Sequence, residues 1–190
     1  MSAPIIDPSR NWHPLLDRLA DEKDPQLRHQ LDEVRYHIHA EAACNIQLAL
    51  DRLSPEAEYV LYDYSQPPVV IKGVDQIREM FYDQLVLNIH PSLQWSMSRV
   101  AVEPGFVVTQ GSMKSGMRGS VLAAAGFDVD EERFYLSEGE HLVIWPFDAQ
   151  GRVIGETVFQ GWTTPLDQVA RQPLEPGDIG LWDGDVPLPE

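Results

Sequence analysis

The stretch YHIHAEA, residues 36–42, has two histidines and a glutamate at alternate positions: His37, His39 and Glu41. In a β-strand these three side chains would lie on one face and could bind a metal ion as an HxHxE site. In an α-helix, His37 and His39 would point roughly 200° apart and could not share a metal ion. His37 and Glu41, four residues apart, would then be able to contact each other. The secondary structure of this stretch therefore decides which chemistry is possible.

The surrounding residues favour the helix. Asp24 and Pro25 form a helix start, with the aspartate as N-cap and the proline at the first helical position. Apolar residues then recur every three or four positions, which is the helical spacing: Leu27, Leu31, Val34, Ile38 and Ala42. We therefore expect His37 and Glu41 to be in contact, either as a solvated pair or as groups that face a ligand site.

The composition limits the class of protein. A chain of 190 residues suggests one domain. A net charge of −16 disfavours binding to nucleic acid or to anionic membranes. We find no long apolar run and no signal-peptide pattern, so we expect a cytoplasmic protein without a membrane span. The single cysteine, Cys44, excludes an internal disulfide and fits a reducing compartment.

The remaining chain alternates helix and strand signals. Asn45 can cap a second short helix that ends before Ser54-Pro55. EYVLYDYS is a strand in which Tyr59, Leu61 and Asp63 share one face, and QPPVVIKG is a connection. A helix follows in VDQIREMFYDQLVLNI, and then four strands in two hairpins around EPG and DAQG. This order predicts an α+β domain in which helices lie on one face of a curved sheet and enclose an apolar cavity.

We expect three parts along the chain. Residues 1–23 would be an N-terminal arm or short helix, and residues 24–163 the folded domain. Residues 164–190, rich in proline and glycine, would be an extended C-terminal arm that wraps the domain or a partner subunit.

One long segment is similar to a known family. LDRLSPEAEYVLYDYSQPPVVIKGVDQIREMFYDQL and the later GRVIGE resemble the SnoaL-like branch of the nuclear transport factor 2 (NTF2) superfamily, over about Leu27 to Thr163. The resemblance implies a cone-shaped, curved antiparallel sheet closed by helices, the NTF2-like or cystatin-like α+β barrel. Members include ketosteroid isomerase, scytalone dehydratase, polyketide cyclases and cofactor-free aryl lyases, and others are binding or assembly modules.

The resemblance to ketosteroid isomerase also implies roles for individual residues. Asp63 stands at the position of the general base, and His37 at that of the oxyanion-binding tyrosine. Val143 stands where the second oxyanion donor would be, and His141 on the same strand face is its nearest replacement. The supporting tyrosine of the third helix corresponds to Phe81.

Polyketide cyclases of this type place an acidic residue soon after G-x-I-x-E on the last strand. In this chain the corresponding residues, 160–162, include no acid. The catalytic candidates are therefore Asp63, His37, His141 and Glu41. We expect the cavity wall to be largely aromatic, which favours a flat hydrophobic ligand. The candidate substrate-binding residues are Tyr59, Phe81, Trp95, Met97 and Trp145.

A carboxylate and an imidazole in an apolar pocket suit proton transfer near neutral pH. We therefore expect a cofactor-independent lyase that eliminates water or a small carbonyl fragment from a hydrophobic, aromatic or polycyclic small molecule, with an isomerase as second choice. The alternative is a non-catalytic small-molecule-binding or oligomerisation module, whose cavity would be wholly apolar. We identify no other group of metal ligands and expect no cofactor. We also expect a homodimer or homotrimer.

Overall fold

The computed structural model of the protein describes residues 3–8, 11, 13–43, 45–63, 66–86 and 93–180. The helices are α1 (His13–Asp21), α2 (Pro25–Ala42), α3 (Ile46–Asp51), α4 (Val74–Gln76) with its π-helical continuation (Ile77–Val86), α5 (Gly119–Ala124) and α6 (Leu166–Val169). The strands are β1 (Leu53–Asp63), β2 (Val69–Lys72), β3 (Leu93–Glu103), β4 (Phe106–Arg118), β5 (Phe134–Pro146), β6 (Val153–Thr163) and β7 (Pro173–Leu174). None of the helices described here is long and apolar enough to cross a membrane.

The seven strands form one curved, unclosed sheet. Their order is β2-β1-β6-β5-β4-β3, and β7 pairs with β5 outside this path. All neighbours are antiparallel except β1 and β6, which run parallel. The α+β fold class predicted from the sequence is confirmed, because helices close a curved, mainly antiparallel sheet.

Helix α2 lies at the centre of the molecule. Its N-cap is Asp24, whose carboxylate accepts hydrogen bonds from the backbone N–H groups of Gln26 and Leu27, as predicted. Eleven consecutive residues of this helix, 30–40, are buried, because α1, α3, β3 and β4 all pack against it. A helix covered all round can place polar side chains in the interior, where they need partners.

Both predicted hairpins are confirmed. Strands β3 and β4 meet at Pro104 and Gly105, where Gly105 has the positive φ of 93° that a tight turn of this kind needs. Strands β5 and β6 meet around residues 148–151. These hairpins were readable from the sequence because alternating apolar residues flank glycine-containing turns.

Two predictions about the start of the sheet were wrong. The segment after the two prolines is not only a connection, since Val69–Lys72 forms the edge strand β2, with Ile71 opposite Tyr59. Strand β1 begins at Leu53 rather than after Pro55, and the proline falls within a register shift against β6. Bulges and edges are the places where a strand accepts proline, so Pro55 did not mark a boundary.

The helix after β2 has an unusual winding. Ile77 and Tyr82, five residues apart, are both fully buried, and Phe81 and Val86, also five apart, both line the cavity. This spacing matches the i→i+5 bonding of a π-helix. An α-helical apolar stripe through this segment would include Met80, but the observed winding leaves its side chain exposed. The predicted end of this helix, residues 87–89, lies outside the described residues.

The segment after β6 packs back on the sheet. It contains α6 and then β7, in which Leu174 pairs with Phe134 of β5. Further on, Ile179 forms a bridge with Ile6, so the segment after β7 contacts the segment before α1. The part of the predicted arm beyond residue 180 lies outside the described residues.

Candidate active site

A cavity of about 580 Å³ opens on the concave side of the sheet. Its walls come from α2, from the π-helix and from the inner faces of β1, β3, β4, β5 and β6. Ligand pockets in proteins commonly have volumes of roughly 300–1,000 Å³. Most of the lining is apolar, and its acidic residues are Glu41, Asp63, Glu138 and Glu156.

The strand register arranges the polar groups at two depths. Tyr59 of β1 lies opposite Glu156 of β6, and we call this pair the inner row. Gln160 of β6 lies opposite both Asp63 of β1 and His141 of β5, and we call these three the outer row. The two rows are four residues apart along each strand, or about 13 Å at the usual rise per residue. A middle row of Leu61, Val143 and Val158 separates them.

The inner row joins a buried cluster centred on an imidazole. Nε2 of His37 lies 2.9 Å from Oη of Tyr82, 3.4 Å from Oη of Tyr59 and 3.2 Å from Oε1 of Glu156. Glu41 completes the cluster, because its Oε1 accepts a hydrogen bond of 3.0 Å from the Tyr82 hydroxyl and lies 3.7 Å from His37 Nε2. We call these five residues the inner cluster. Two carboxylates and two hydroxyl groups thus surround one imidazole nitrogen.

The surroundings shift the pKa values of the inner cluster. Burial alone would lower the pKa of His37, but the carboxylates of Glu156 and Glu41 outweigh it and raise this pKa from 6.5 to about 10. Burial raises the pKa of Glu156, against the opposing influence of His37. Burial also raises the pKa of the Tyr59 and Tyr82 hydroxyl groups, which therefore stay protonated as donors. The cluster holds an imidazolium between two carboxyl groups at neutral pH.

The helical conformation of residues 36–42 explains which of His37, His39 and Glu41 belong to this cluster. His37 and Glu41 lie one turn apart on the face of α2 that meets the sheet. His39 points to the other side, where its Nδ1 lies 3.1 Å from Nη1 of Arg35, and burial together with this cation lowers its pKa to about 4. The predicted helix and the predicted separation of the two histidines are confirmed. The alternative of a solvated His–Glu pair is wrong, because His37 is only 1% exposed.

The cluster also has the composition of a metal site. His37, Glu41 and Glu156 each offer one ligand atom, and these atoms lie within 4.8 Å of one another. The sequence showed no such group, because Glu156 is more than a hundred residues away from the other two and comes from a different element.

The outer row has a different environment. Asp63 ends β1 at the mouth of the cavity, where its side chain is exposed. His141 lines the cavity more deeply, and burial lowers its pKa. Its Nδ1 has no hydrogen-bond partner among the described residues. A neutral imidazole with an unsatisfied nitrogen is suited to recognise a polar group on a ligand.

The candidate substrate-binding residues divide into two groups. Phe81, Trp95 and Trp145 line the cavity, and the ring of Trp145 lies 5.4 Å from that of His37 and 6.4 Å from that of Trp95. Tyr59 and Met97 are buried in the core behind this wall. Tyr59 instead contributes its hydroxyl group to the inner cluster.

Sequence reasoning missed two members of the inner cluster. Tyr82, not the neighbouring Phe81, brings a hydroxyl group to the site, because the π-helical winding turns that position inward. The resemblance to polyketide cyclases points to residues 160–162, further along β6, and not to Glu156. One signal was available, since Glu156 shares a strand face with Val158 and an acid at such an alternating apolar position faces the interior.

No protein-family model matches the chain, and no curated protein matches its sequence. Solved structures do match. A candidate SnoaL-like polyketide cyclase from Jannaschia sp. CCS1 aligns with a TM-score of 0.55 at 14% identity, over 74% of this chain and 90% of that one. An NTF2-like protein of unknown function from Burkholderia pseudomallei aligns with a TM-score of 0.54 at 12% identity, over 76% and 96%.

A third structure, TerC co-crystallised with polyporic acid, aligns with a TM-score of 0.53 at 11% identity, over 70% of this chain and 92% of that one. At these identities the agreement concerns the fold, and a shared fold does not by itself imply a shared reaction. The chain therefore has the fold of the SnoaL-like and NTF2-like proteins, as the sequence resemblance predicted.

Proposed function

We propose that the protein is a lyase or isomerase that uses acid–base chemistry, without a cofactor, on a hydrophobic small molecule with an aromatic or polycyclic body. The observation that supports this most directly is the inner cluster. Two glutamates, Glu41 and Glu156, face an apolar cavity of about 580 Å³ while a buried imidazole lies directly behind them.

Glu156 is the proposed general base. A carboxylate in an apolar site has a raised pKa and can accept a proton near neutral pH, which is the range where general-base catalysis is efficient. Its Oε1 lies 3.2 Å from Nε2 of His37, and Glu156 is one of the residues that line the cavity. In this proposal the carboxylate accepts the substrate proton while His37 stays protonated behind it.

The other members of the inner cluster have supporting roles in this proposal. His37 holds a proton beside both carboxylates and balances their charge. Tyr82 orients Glu41 through its hydrogen bond of 3.0 Å and His37 through one of 2.9 Å. The aromatic side chains of Phe81, Trp95 and Trp145 would hold the flat body of the substrate, since offset and edge-on ring contacts favour aromatic ligands.

The outer row would act in recognition. His141 and Gln160 lie about 13 Å from the inner row along their strands, which is the length of a molecule of two or three fused rings with its substituents. They would contact a polar group at the far end of the substrate. Asp63, at the exposed mouth, would contribute less than the inner carboxylates.

Deuterium incorporation tests this function before the natural substrate is known. A proton-abstracting enzyme exchanges an acidic C–H of a bound compound with solvent, so a panel of aromatic carbonyl and imine compounds would be incubated with the protein in D₂O and followed by mass spectrometry. We expect at least one compound to gain deuterium, and the rate to fall by at least about 100-fold in Glu156→Gln.

Glu140→Gln is the matched control. Glu140 is on the same sheet and has the same charge, but it does not belong to the described cavity lining. This variant should keep the wild-type rate. Binding of aromatic compounds without any exchange, in wild type and variants alike, would instead favour the non-catalytic binding module.

We further propose that the protein self-associates as a homodimer or homotrimer. Several large apolar side chains are exposed, among them Trp162 at 59% and Val70 at 46%. Tyr62 and Phe159 form a stacked pair on neighbouring strands, with ring centroids 4.7 Å apart. Sedimentation velocity at micromolar concentration would test this, and a stable monomer would contradict it.

A further inference from the structure

The charges that line the cavity are unbalanced. Four carboxylates face it, and none of the described lining residues is a lysine or an arginine. Lys114 lies outside this lining, with its Nζ 3.8 Å from Oε1 of Glu138. The histidine of the lining, His141, has its pKa lowered by burial. His37 behind the wall balances one charge of the inner cluster, so an anionic ligand would meet net repulsion, whereas a cation would be attracted, also by the net charge of −16.

The proposed reaction requires a place for negative charge. When Glu156 takes a proton from carbon, the electron pair left behind must be stabilised, and enzymes commonly do this with preorganised donors or cations. Val143 stands in the middle row, opposite Val158, and offers neither. His37 and the two tyrosines lie behind the carboxylates and not on the cavity wall that the structure describes.

We propose that the substrate brings its own electron sink: it is an aromatic-sized organic cation with the positive charge on nitrogen, bound against Glu41 and the aromatic wall. This rests on the proposed function and names its substrate class. Glu41 is suited to the role because its Oε1 is fixed by Tyr82, and its ligand oxygen lies within 4.8 Å of that of Glu156. The charged nitrogen and the acidic carbon can then each face one carboxylate.

The proton-transfer step is balanced without another reactant. The carboxylate of Glu156 takes the proton from the carbon next to a C=N⁺ group. The electron pair of the broken C–H bond forms a C=C bond, and the π pair of C=N⁺ moves to nitrogen, which becomes neutral. An iminium and a carboxylate thus become an enamine and a carboxylic acid, and return of the proton at another carbon completes an isomerisation.

The aromatic wall is a second, independent reason to expect a cation. Trp95 and Trp145 are both more than nine-tenths buried, line the cavity and have ring centroids 6.4 Å apart. A cation over the face of a tryptophan is attracted by the ring quadrupole, most strongly when water is excluded. Glu156, at 4% exposure, adds a buried carboxyl group to the same lining.

Three probes of nearly equal shape test this inference: 1-methylquinolinium, 1-methylnaphthalene and 1-naphthoate, which are cationic, neutral and anionic. Their dissociation constants would be measured by equilibrium dialysis with the full-length protein. We expect the cation to bind at least about 10-fold more tightly than the neutral probe, and the anion to bind most weakly. Equal binding of cation and neutral probe, tighter binding of the anion, or no binding of the cation would overturn the inference.

Two variants locate the charge. Glu41→Gln should weaken binding of 1-methylquinolinium by at least about 10-fold and leave 1-methylnaphthalene within about 2-fold. Glu140→Gln, which removes the same charge outside the described lining, should change neither. If Glu41→Gln leaves the preference for the cation intact, the inference is wrong.

This experiment separates the inference from the function on which it rests. Selective binding of the cation without deuterium exchange in the wild type would contradict the proposed function and leave the cation preference standing. Exchange that needs Glu156 but occurs only in neutral compounds, without preference for the cationic probe, would contradict the substrate class alone.

Discussion

His37 beside the inner row and His141 in the outer row have the same side chain, and their surroundings shift its pKa in opposite directions. Both are largely buried, so desolvation lowers the pKa of each. Only His37 also has two carboxylates within 3.7 Å, and these raise its pKa to about 10. Burial alone therefore does not decide the charge of these two histidines. The groups beside each imidazole decide it.

The same contrast holds for the carboxylates. Glu156 is enclosed by the inner cluster, and burial raises its pKa. Asp63 lies on the neighbouring strand β1, four residues beyond Tyr59, and is exposed at the mouth of the cavity. In the proposed function, the two ends of one sheet face would serve proton transfer and recognition, and an apolar middle row separates them.

The largest expected effect distinguishes the two carboxylates. Glu156→Gln should lower kcat by at least about 100-fold, because it removes the base, whereas Asp63→Asn should lower it by less than about 10-fold. Steady-state kinetics on any compound that the wild type turns over would measure both, with urea unfolding as a check on stability. An Asp63→Asn loss as large as that of Glu156→Gln would restore Asp63 as the base.

The second prediction concerns stability above neutral pH. The pKa of His37 is raised from 6.5 to about 10, so its contribution to stability is complete below about pH 6.5 and is lost as the pH rises toward 10. The free energy of unfolding, measured with urea between pH 7 and 9.5, should fall in the wild type. It should fall less steeply in His37→Gln, which has no imidazolium to lose.

The control for this measurement is His141→Gln. Because the pKa of His141 is lowered, its contribution to stability is present above pH 6.5 and is lost only as the pH falls. Between pH 7 and 9.5, the free energy of unfolding of His141→Gln should therefore fall as steeply as that of the wild type. If the free energy of unfolding falls equally steeply with pH in the wild type and in His37→Gln, then His37 is neutral at pH 7, contrary to the arrangement proposed for the inner cluster.

The third prediction tests the separation of the rows. His141→Ala should lower kcat/KM by less than about 10-fold, since His141 is proposed to bind the substrate and not to transfer the proton. Sites more than roughly 7–10 Å apart without shared partners usually show additive effects. The losses of free energy from His141→Ala and Glu156→Gln should therefore add in the double variant, and strong non-additivity would place both residues in one proton-transfer step.

Much of this arrangement could be read from the sequence. The helix over residues 36–42 followed from its cap and apolar spacing, and the two hairpins followed from their turns. The inner cluster could not be completed, because its members come from four separate elements and only the register of β1 and β6 brings Glu156 to Tyr59. Local patterns report which face of an element is buried, but not which residues meet across the core.

Tyr82 shows a second kind of limit. The apolar spacing of residues 74–86 is also compatible with an ordinary α-helix. The π-helix spaces buried positions five apart and so turns Tyr82 inward and Met80 outward. Such windings are rare and have no simple sequence signal, so Tyr82, whose hydroxyl group links His37 to Glu41, was not identified from the sequence.

The smallest expected effect is that of metal removal. His37, Glu41 and Glu156 could hold a divalent ion, since their ligand atoms lie within 4.8 Å of one another. A metal ion would have to displace the proton of His37, whose pKa of about 10 keeps it protonated at neutral pH, and the Tyr82 hydroxyl group 2.9 Å from Nε2. We therefore expect kcat to be unchanged after dialysis against EDTA, with metal content measured by mass spectrometry on the same samples.

If activity is lost with EDTA and restored by one divalent ion, and if Glu156→Gln but not Glu140→Gln loses that ion, the inner cluster is a metal site. The inner row would then differ from the outer row because it binds a metal ion, and not because it holds a proton.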